Sequence, residues 1–273
     1  MKSEERVQPP SYLSPEYVIR SMYDHSTRFI FEIPPTKVFV LSIMGGCFVS
    51  LGALLSVLLA AGVTSLGPAK LLEGLGYSSG FFFVILTHSV LFTEANVLLP
   101  ASILHNPRSK VIKGALRMWI KAWIGNFLGA LVVGWLIHNS QEYAEDVRNL
   151  LKEFIAKKMV YYKLGGGENW LKIVLSGILG NWIVGMAAFF GMMCKTVVGK
   201  FVPIFLAVTL FTAANFQHTA ANMGLFSISM AVDNEPGWVI ALIWNILPAT
   251  IGNIIGGSCF VALPFWYCLS KKN

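Results

Sequence analysis

Charged residues are scarce in this chain. Only 13% of its 273 residues are Asp, Glu, Lys or Arg, and 55% are hydrophobic, whereas soluble domains carry roughly 25% charged residues. The mean hydropathy is +0.63. So few charges cannot cover a water-exposed surface, and the composition excludes an ordinary soluble enzyme or binding domain. It indicates a protein embedded in a lipid bilayer.

Several chemical signatures are also missing. The four cysteines form no CxxC pair and no Cys/His spacing, so we interpret them as buried packing residues and expect no bound metal. No HExxH, no GxSxG and no paired aspartates occur within the apolar stretches. An intramembrane enzyme is therefore disfavoured, and nothing in the sequence calls for a cofactor.

Six apolar stretches are each long enough to cross about 30 Å of hydrocarbon. They run over 38–62, 80–104, 118–137, 174–194, 201–230 and 238–268. We expect an all-α membrane protein with two parts, an N-terminal segment 1–37 and a transmembrane domain 38–273. The segment has no apolar core of signal-peptide length, and residues 15–31 predict an amphipathic helix on the cytoplasmic membrane surface.

The distribution of Lys and Arg predicts the orientation of these spans. Basic residues follow the second and fourth spans and end the chain, at Arg108, Lys110, Lys113, Arg117, Lys121, Lys195, Lys200, Lys271 and Lys272. The opposite turns are nearly uncharged or acidic. We therefore expect both termini in the cytoplasm of a multi-pass protein of the inner or plasma membrane. The net charge of +7 follows from this orientation, so no nucleic-acid partner is needed.

The chain also resembles itself at an offset of 126 or 127 residues. TEAN at 93–96, in the second span, matches TAAN at 219–222, in the fifth. IGNFLG at 124–129, in the third, matches IGNIIG at 251–256, in the sixth. The Gly-Asn pairs within the second match are interpreted as close-packing devices, because small residues let membrane helices approach.

This self-similarity predicts two repeats of three spans, at about 38–137 and 174–268. Because three is odd, the second repeat enters the membrane from the opposite face, and the halves have inverted topology. In proteins built this way the pathway lies at the repeat interface, where corresponding helices are broken. We expect the second and fifth helices to be broken at the Thr-x-Ala-Asn segments.

The polar stretch around His218 predicts the chemistry of that pathway. An ionisable side chain at the bilayer centre costs roughly 2.5 to 3.5 kcal/mol and usually faces protein or a wet cavity. A broken helix offers free N–H groups to an anion, and histidine exchanges its proton near neutral pH. The pattern therefore favours a site for small, weakly acidic anions. Dry constrictions that hold back hydrated ions are expected at Leu91, Phe92 and Phe211.

Five motifs identify a resemblance. LFTEANVLL at 91–99, GNFLGA at 125–130, GILGNW at 177–182, FQHTAANM at 216–223 and NILPATIGNIIGG at 245–257 together resemble the formate/nitrite transporter family, from about residue 15 onward. The resemblance implies an aquaporin-like fold of six helices, assembled as a homopentamer with one pore per protomer. It also implies passage of monovalent weak-acid anions such as formate, nitrite, hydrosulfide or lactate. We expect a passive or proton-coupled channel in which His218 assists permeation by protonation or hydrogen bonding.

The same resemblance assigns roles to residues. His218 is similar to the family's single pore histidine, and Thr93 to the threonine of the loop that breaks the second helix. The resemblance further implies constriction residues and polar pore asparagines at Leu91, Phe92, Phe211, Asn181 and Asn222.

Three departures from the family pattern affect the expected pathway. Glu94 stands where a small residue is usual, and Gln217 precedes His218 where glutamate is frequent. Both are included among the pathway residues, because a gained or lost carboxylate changes which anions pass. The family's outer-mouth lysine aligns with Gly165, which leaves Lys158 and Lys163 as alternatives for that role.

Competing interpretations remain at this point. A neutral-solute pore for water, glycerol or ammonia is possible on the fold alone, although neither polar segment carries the Asn-Pro-Ala signature of aquaporins. His218 can have a hydrogen-bonded packing role instead of a pore role. Asn181 and Asn222 can cap broken helices or join spans, and Glu94 can be a solvated residue at a helix end.

Overall fold

A computed structural model describes residues 12–270 of the chain, which are almost entirely helical. The first half contains α1 (Pro15–Phe31), α2 (Pro35–Ala60), α3 (Leu66–Thr87), α4 (Phe92–His105) and α5 (Ser109–Ser140). The connection contains α6 (Glu145–Lys158) and α7 (Val160–Leu164). The second half contains α8 (Gly166–Met193), α9 (Val197–Ala213), α10 (Thr219–Asp233) and α11 (Trp238–Leu269). Lys271, Lys272 and the first eleven residues of segment 1–37 lie outside the described residues.

Within residues 12–270, five helices are long and apolar enough to cross a membrane, namely α2, α3, α5, α8 and α11, and α9 is a shorter apolar helix. In the first half, α2 packs on α3 and α5. In the second, α8 packs on α9 and α11. The short helices cross between halves, because α4 also contacts α8 and α11 while α10 contacts α2 and α5. This arrangement is that of an all-α, multi-pass membrane protein.

The second and fifth helices are broken, as the sequence predicts. α3 ends where His88 adopts a left-handed backbone with φ of 53°, and α4 begins four residues later. α9 ends just before Asn215, which has φ of 54°, and α10 begins at Thr219. Each break therefore divides one span into two half-helices that meet inside the protein.

The positions of these breaks correct the sequence prediction. Both Thr-x-Ala-Asn segments lie in the first turns of α4 and α10, and the breaks precede them at 88–91 and 214–218. The second span begins at Leu66 rather than at residue 80, so Lys70 and Glu73 lie inside α3. Glu73 is buried and pairs with Lys70 at 2.6 Å, which explains how a helix tolerates two charges that lower its hydropathy.

Two other expectations need correction. Cys259 and Cys268 are exposed on the outer surface of α11 rather than buried as packing residues. The predicted amphipathic helix is present as α1, but its apolar face packs on α4 within the protein. Its position relative to the membrane surface stays a prediction.

Glycines set the separations between the membrane helices. A Cβ on Gly46 would lie 2.2 Å from the carbonyl oxygen of Asn126, and one on Gly256 would lie 2.3 Å from that of Ile178. Between α2 and α3, a Cβ on Gly76 would lie 2.2 Å from the backbone nitrogen of Ser56. Backbone atoms cannot rotate away as side chains can, so these contacts require glycine.

We expect Gly76→Ala to destabilise the protein by about 1 to 3 kcal/mol, because the added methyl forces α2 and α3 apart. Gly67→Ala, in the same helix, is the matched control, since a Cβ there meets nothing within 4 Å. Thermal unfolding of both variants in detergent compares them. Equal apparent Tm values would contradict this account of the packing.

Candidate functional site

An asparagine from α5 holds the first helix break. Asn126 donates through Nδ2 to the carbonyl oxygens of Ser42 at 2.7 Å and Val90 at 2.9 Å. Its Oδ1 accepts from the backbone N–H of Phe92 at 2.8 Å. Helix ends leave backbone groups without intrahelical partners, and inside the membrane no water replaces them. One buried side chain therefore pairs a carbonyl group inside the break and the first N–H of α4.

An asparagine from α11 holds the second break in the same way. Asn253 donates through Nδ2 to the carbonyl oxygens of Gly177 at 2.8 Å and Gln217 at 3.0 Å. Its Oδ1 accepts from the N–H of Thr219 at 2.7 Å. The Gly-Asn pairs are thus more than the close-packing devices expected from the sequence, because their asparagines hold the breaks. The repeated IGN motif was the available signal.

The paired breaks also fix which positions correspond. Asn126 and Asn253 are 127 residues apart, as are His88 and Asn215, the left-handed residues of the two breaks. By this offset Leu91 corresponds to His218, and each occupies the N-cap position of its half-helix, where the side chain of His218 accepts a hydrogen bond and that of Leu91 does not. The TEAN and TAAN match at an offset of 126 is thus displaced by one residue from the structural correspondence.

His218 is buried, with only 3% of its surface exposed. Its Nδ1 accepts the N–H of Ala221 at 3.4 Å, as the cap of α10. In this arrangement the proton of the neutral imidazole lies on Nε2. Nε2 makes no hydrogen bond to any of residues 12–270. The ring is thus anchored through one nitrogen and offers the other as a donor.

The expected constriction residues are all buried beside the breaks. Leu91 is completely buried, and Phe92 and Phe211 are 3% and 4% exposed. The Phe211 ring lies 5.3 Å from the imidazole of His218 and 6.3 Å from the ring of Tyr77, centroid to centroid. The side chains of Leu91, Phe92 and Phe211 carry no polar group that could replace the water around an ion.

Gln217 belongs to a cluster of neutral amides next to His218. Its Oε1 accepts from Nδ2 of Asn222 at 2.8 Å and from Nδ2 of Asn245 at 3.1 Å. The Asn222 amide nitrogen also donates to Oδ1 of Asn245 at 2.6 Å, and Asn245 donates to the carbonyl oxygen of Lys158 at 2.9 Å. Asn245, which sequence reasoning missed, lies in a π-helical turn of α11. The cluster carries no charge.

Asn181 connects the two breaks. Its Nδ2 donates to the backbone oxygen of Thr93 at 3.1 Å and to that of Asn253 at 2.7 Å. The Thr93 hydroxyl and Asn181 Oδ1 are buried and make no hydrogen bond within the described part of the chain. Glu94 is half-buried in the first turn of α4. The structure thus gathers Thr93, Leu91 and Phe92 at one break, and His218, Gln217, Phe211 and Asn222 at the other.

Lys158 is a buried lysine at the second break. Its Nζ donates to the carbonyl oxygen of Phe216, within the second break, at 2.7 Å, and lies 5.6 Å from the centre of the Phe211 ring. Lys163, the alternative candidate, is exposed on α7. Of these two lysines, Lys158 is the one that reaches the break.

A small cavity of about 30 Å³ adjoins Lys158. Its titratable or charged lining groups are Lys70, Glu73, Tyr77, Lys157 and Lys158. Burial and, to a smaller extent, the positive charge of Lys70 lower the pKa of Lys158 to about 7, although the carboxylate of Glu73 acts in the opposite direction. The lysine charge is therefore present below pH 7 and is lost as the pH rises through 7.

The chain is similar to proteins of known class. A family model described as formate/nitrite transporter matches residues 18–267. A probable formate transporter of Methanothermobacter thermautotrophicus is 28% identical over 258 residues, which cover 88% of this chain and 92% of that protein. The formate channel FocA of Escherichia coli (strain K12) is 26% identical over 262 residues, with 88% of each chain covered.

Two solved structures share the fold. An FNT family ion channel is similar with a TM-score of 0.79 at 23% sequence identity, and the match covers 92% of this chain and 98% of that one. A pentameric formate channel with formate bound is similar with a TM-score of 0.73 at 24% identity, over 86% and 97% of the two chains. These matches confirm the aquaporin-like six-helix fold that the sequence resemblance implies.

We expect Asn253→Ala to destabilise the protein by about 2 to 3 kcal/mol, because it leaves an N–H and two carbonyl groups unpaired inside the protein. Asn139→Ala is the matched control, since Asn139 is exposed and its side chain donates to the carbonyl oxygen of Trp135 in its own helix. Thermal unfolding in detergent measures the difference. An Asn253 variant as stable as the control would mean that the break does not depend on this side chain.

Proposed function

This chain belongs to the formate/nitrite transporter family, and we propose that it conducts small monovalent weak-acid anions such as formate or nitrite, with a proton, through one pore in each protomer of a homopentamer. Its relatives include proteins named formate channel and formate transporter. A structural neighbour is described as pentameric with formate bound. The proposal places segment 1–37 and the C-terminus in the cytoplasm, and domain 38–273 in the cell membrane.

One observation carries this proposal. The free Nε2 of His218 lies at a helix break, beside the apolar ring of Phe211. A buried donor without a partner is costly, so such a group is retained where something passing by accepts its hydrogen bond. A weak-acid anion is a suitable acceptor, and the ring is fixed for that contact because Nδ1 is already bonded to Ala221.

The proposed mechanism begins at Lys158, whose charge attracts the anion to the mouth of the pathway. Beyond it lies Phe211, where a bare ion is unfavourable because a charge leaving water has a large desolvation cost. The anion takes a proton from vestibule water and accepts the hydrogen bond of His218 Nε2–H. The resulting neutral acid then crosses the apolar constrictions and releases the proton on the far side.

We expect His218→Phe to reduce formate and nitrite flux at least tenfold in proteoliposomes at pH 6, since phenylalanine offers no donor to the permeant. His138→Phe, at the exposed end of α5, is the matched control and should retain wild-type flux. If His218→Phe also retained wild-type flux of both anions, the histidine would be removed from the mechanism.

The role of Lys158 predicts a pH dependence. Arginine at this position stays charged above pH 12, whereas Lys158 loses its charge as the pH rises through about 7. The ratio of formate flux in Lys158→Arg to that in the wild type should therefore rise by about threefold between pH 6 and pH 8. Dividing the two fluxes cancels the effect of pH on the concentration of protonated formate, because that concentration is the same for both proteins.

Lys163→Arg is the control for this measurement, and its ratio to the wild type should stay constant over the same range. A constant ratio for Lys158→Arg as well would show that the charge of Lys158 does not attract the permeant.

A further inference from the structure

The side-chain amide of Asn96 is completely buried and makes no hydrogen bond within the described part of the chain. It lies in α4 one turn after Thr93 and has no exposed surface. Neither its Oδ1 nor its Nδ2 has a partner among residues 12–270. Buried polar groups in proteins are nearly always paired, and an exception requires an explanation. Asn96 is not among the pathway residues that the sequence predicts, although it is the last residue of the TEAN motif at 93–96.

Two further unpartnered side chains lie beside this amide. Thr93 and Asn96 are three residues apart on α4, a spacing that places side chains on one helix face. The Nδ2 of Asn181 bonds the backbone oxygen of Thr93 at 3.1 Å. Asn181 Nδ2 and Asn96 Cβ both lie within 3 Å of the position that a Cβ on Gly257 would take. Three helices, α4, α8 and α11, therefore bring these polar groups together.

The backbone around this cluster is fixed. The carbonyl oxygen of Asn96 accepts from the Ser258 hydroxyl at 3.0 Å. Ser258 begins the second π-helical turn of α11, and such turns are frequent at functional sites. Asn181 also bonds Asn253, which holds the break next to His218. The cluster is thus joined to the central break by hydrogen bonds through buried groups.

The free atoms of the cluster include both donors and acceptors. Asn96 Nδ2 and the Thr93 hydroxyl can donate, while Asn96 Oδ1 and Asn181 Oδ1 can only accept. None of these groups is charged. A carboxylate has only acceptor oxygens. It cannot donate a hydrogen bond to the amide oxygens of Asn96 and Asn181, and its oxygens would repel them. A protonated acid has one O–H donor and one acceptor oxygen, which match the cluster.

We propose that Thr93, Asn96 and Asn181 form a second binding station of the pathway, which takes the neutral weak acid rather than its anion. The acid O–H donates to an amide oxygen of Asn181 or Asn96, and its C=O or N=O oxygen accepts from Asn96 Nδ2 or the Thr93 hydroxyl. This inference rests on the proposed function. It adds a selectivity: acids with an O–H and an acceptor oxygen are favoured over hydrogen sulfide, which has no oxygen.

The test compares Asn96→Ala with Asn96→Ser in purified full-length protein in liposomes. Both variants leave nearly the same space, and they differ by one hydroxyl that can bond the permeant. Formate and hydrosulfide fluxes are measured at pH 6 and normalised to the protein incorporated. We expect at least fivefold lower formate flux in the alanine variant than in the serine variant, because one hydrogen bond is lost. Hydrosulfide flux should agree within about twofold.

Equal formate flux in the two variants would overturn the station, as would an equal loss of formate and hydrosulfide flux in the alanine variant. If the cluster binds only water, formate flux will be equal in the two variants. A wild-type protein that conducts no formate would instead contradict the proposed function. If Asn96→Ala does not assemble, Thr93→Val and Thr93→Ser provide the same contrast, because only the serine variant keeps a hydroxyl. We then expect at least fivefold lower formate flux in the valine variant than in the serine variant, and equal formate flux in the two would overturn the station.

Discussion

The structure depends on satisfying backbone groups where two membrane helices stop halfway. Lipid supplies no hydrogen bonds, so a broken helix survives only if protein replaces the missing partners. Asn126 and Asn253 do this with the same three bonds at each break. Their amides fit this task because one short, uncharged side chain provides two donor hydrogens and one acceptor oxygen. Around these anchors, glycines bring the supporting helices close enough for the amides to reach.

The breaks determine where polar and apolar groups lie along the proposed pathway. Leu91 and His218 occupy corresponding N-cap positions. Leu91 places an aliphatic side chain at the start of α4, and His218 places a hydrogen-bond donor at the start of α10. The Phe211 ring lies 5.3 Å from the imidazole of His218 and 5.6 Å from Nζ of Lys158. In the proposed pathway Lys158 lies at the mouth, and the described groups at the two breaks are mainly neutral amides and hydroxyls, with the half-buried carboxyl of Glu94 in the first turn of α4. Such an interior suits a permeant that enters as an anion and crosses as an uncharged acid.

The sequence predicted the apolar spans, the broken second and fifth helices and the polar residues near them, because span length and buried polarity are local properties. It did not predict the start of α3, since Lys70 and Glu73 lower the hydropathy and their pairing is visible only in three dimensions. It also missed the partners of Asn126, Asn245 and Asn96. Their roles depend on contacts between residues 23 to 87 positions apart, or on the absence of such contacts.

The central claim, that the constrictions pass a neutral acid, is tested most directly by the electrical behaviour of the flux. Formate uptake and internal acidification are measured together in proteoliposomes while a membrane potential is imposed by a potassium gradient and valinomycin. The account predicts one proton taken up per formate and an uptake rate that does not change with the potential. Uptake that follows the potential without acidification would show that the bare anion crosses, and would contradict it.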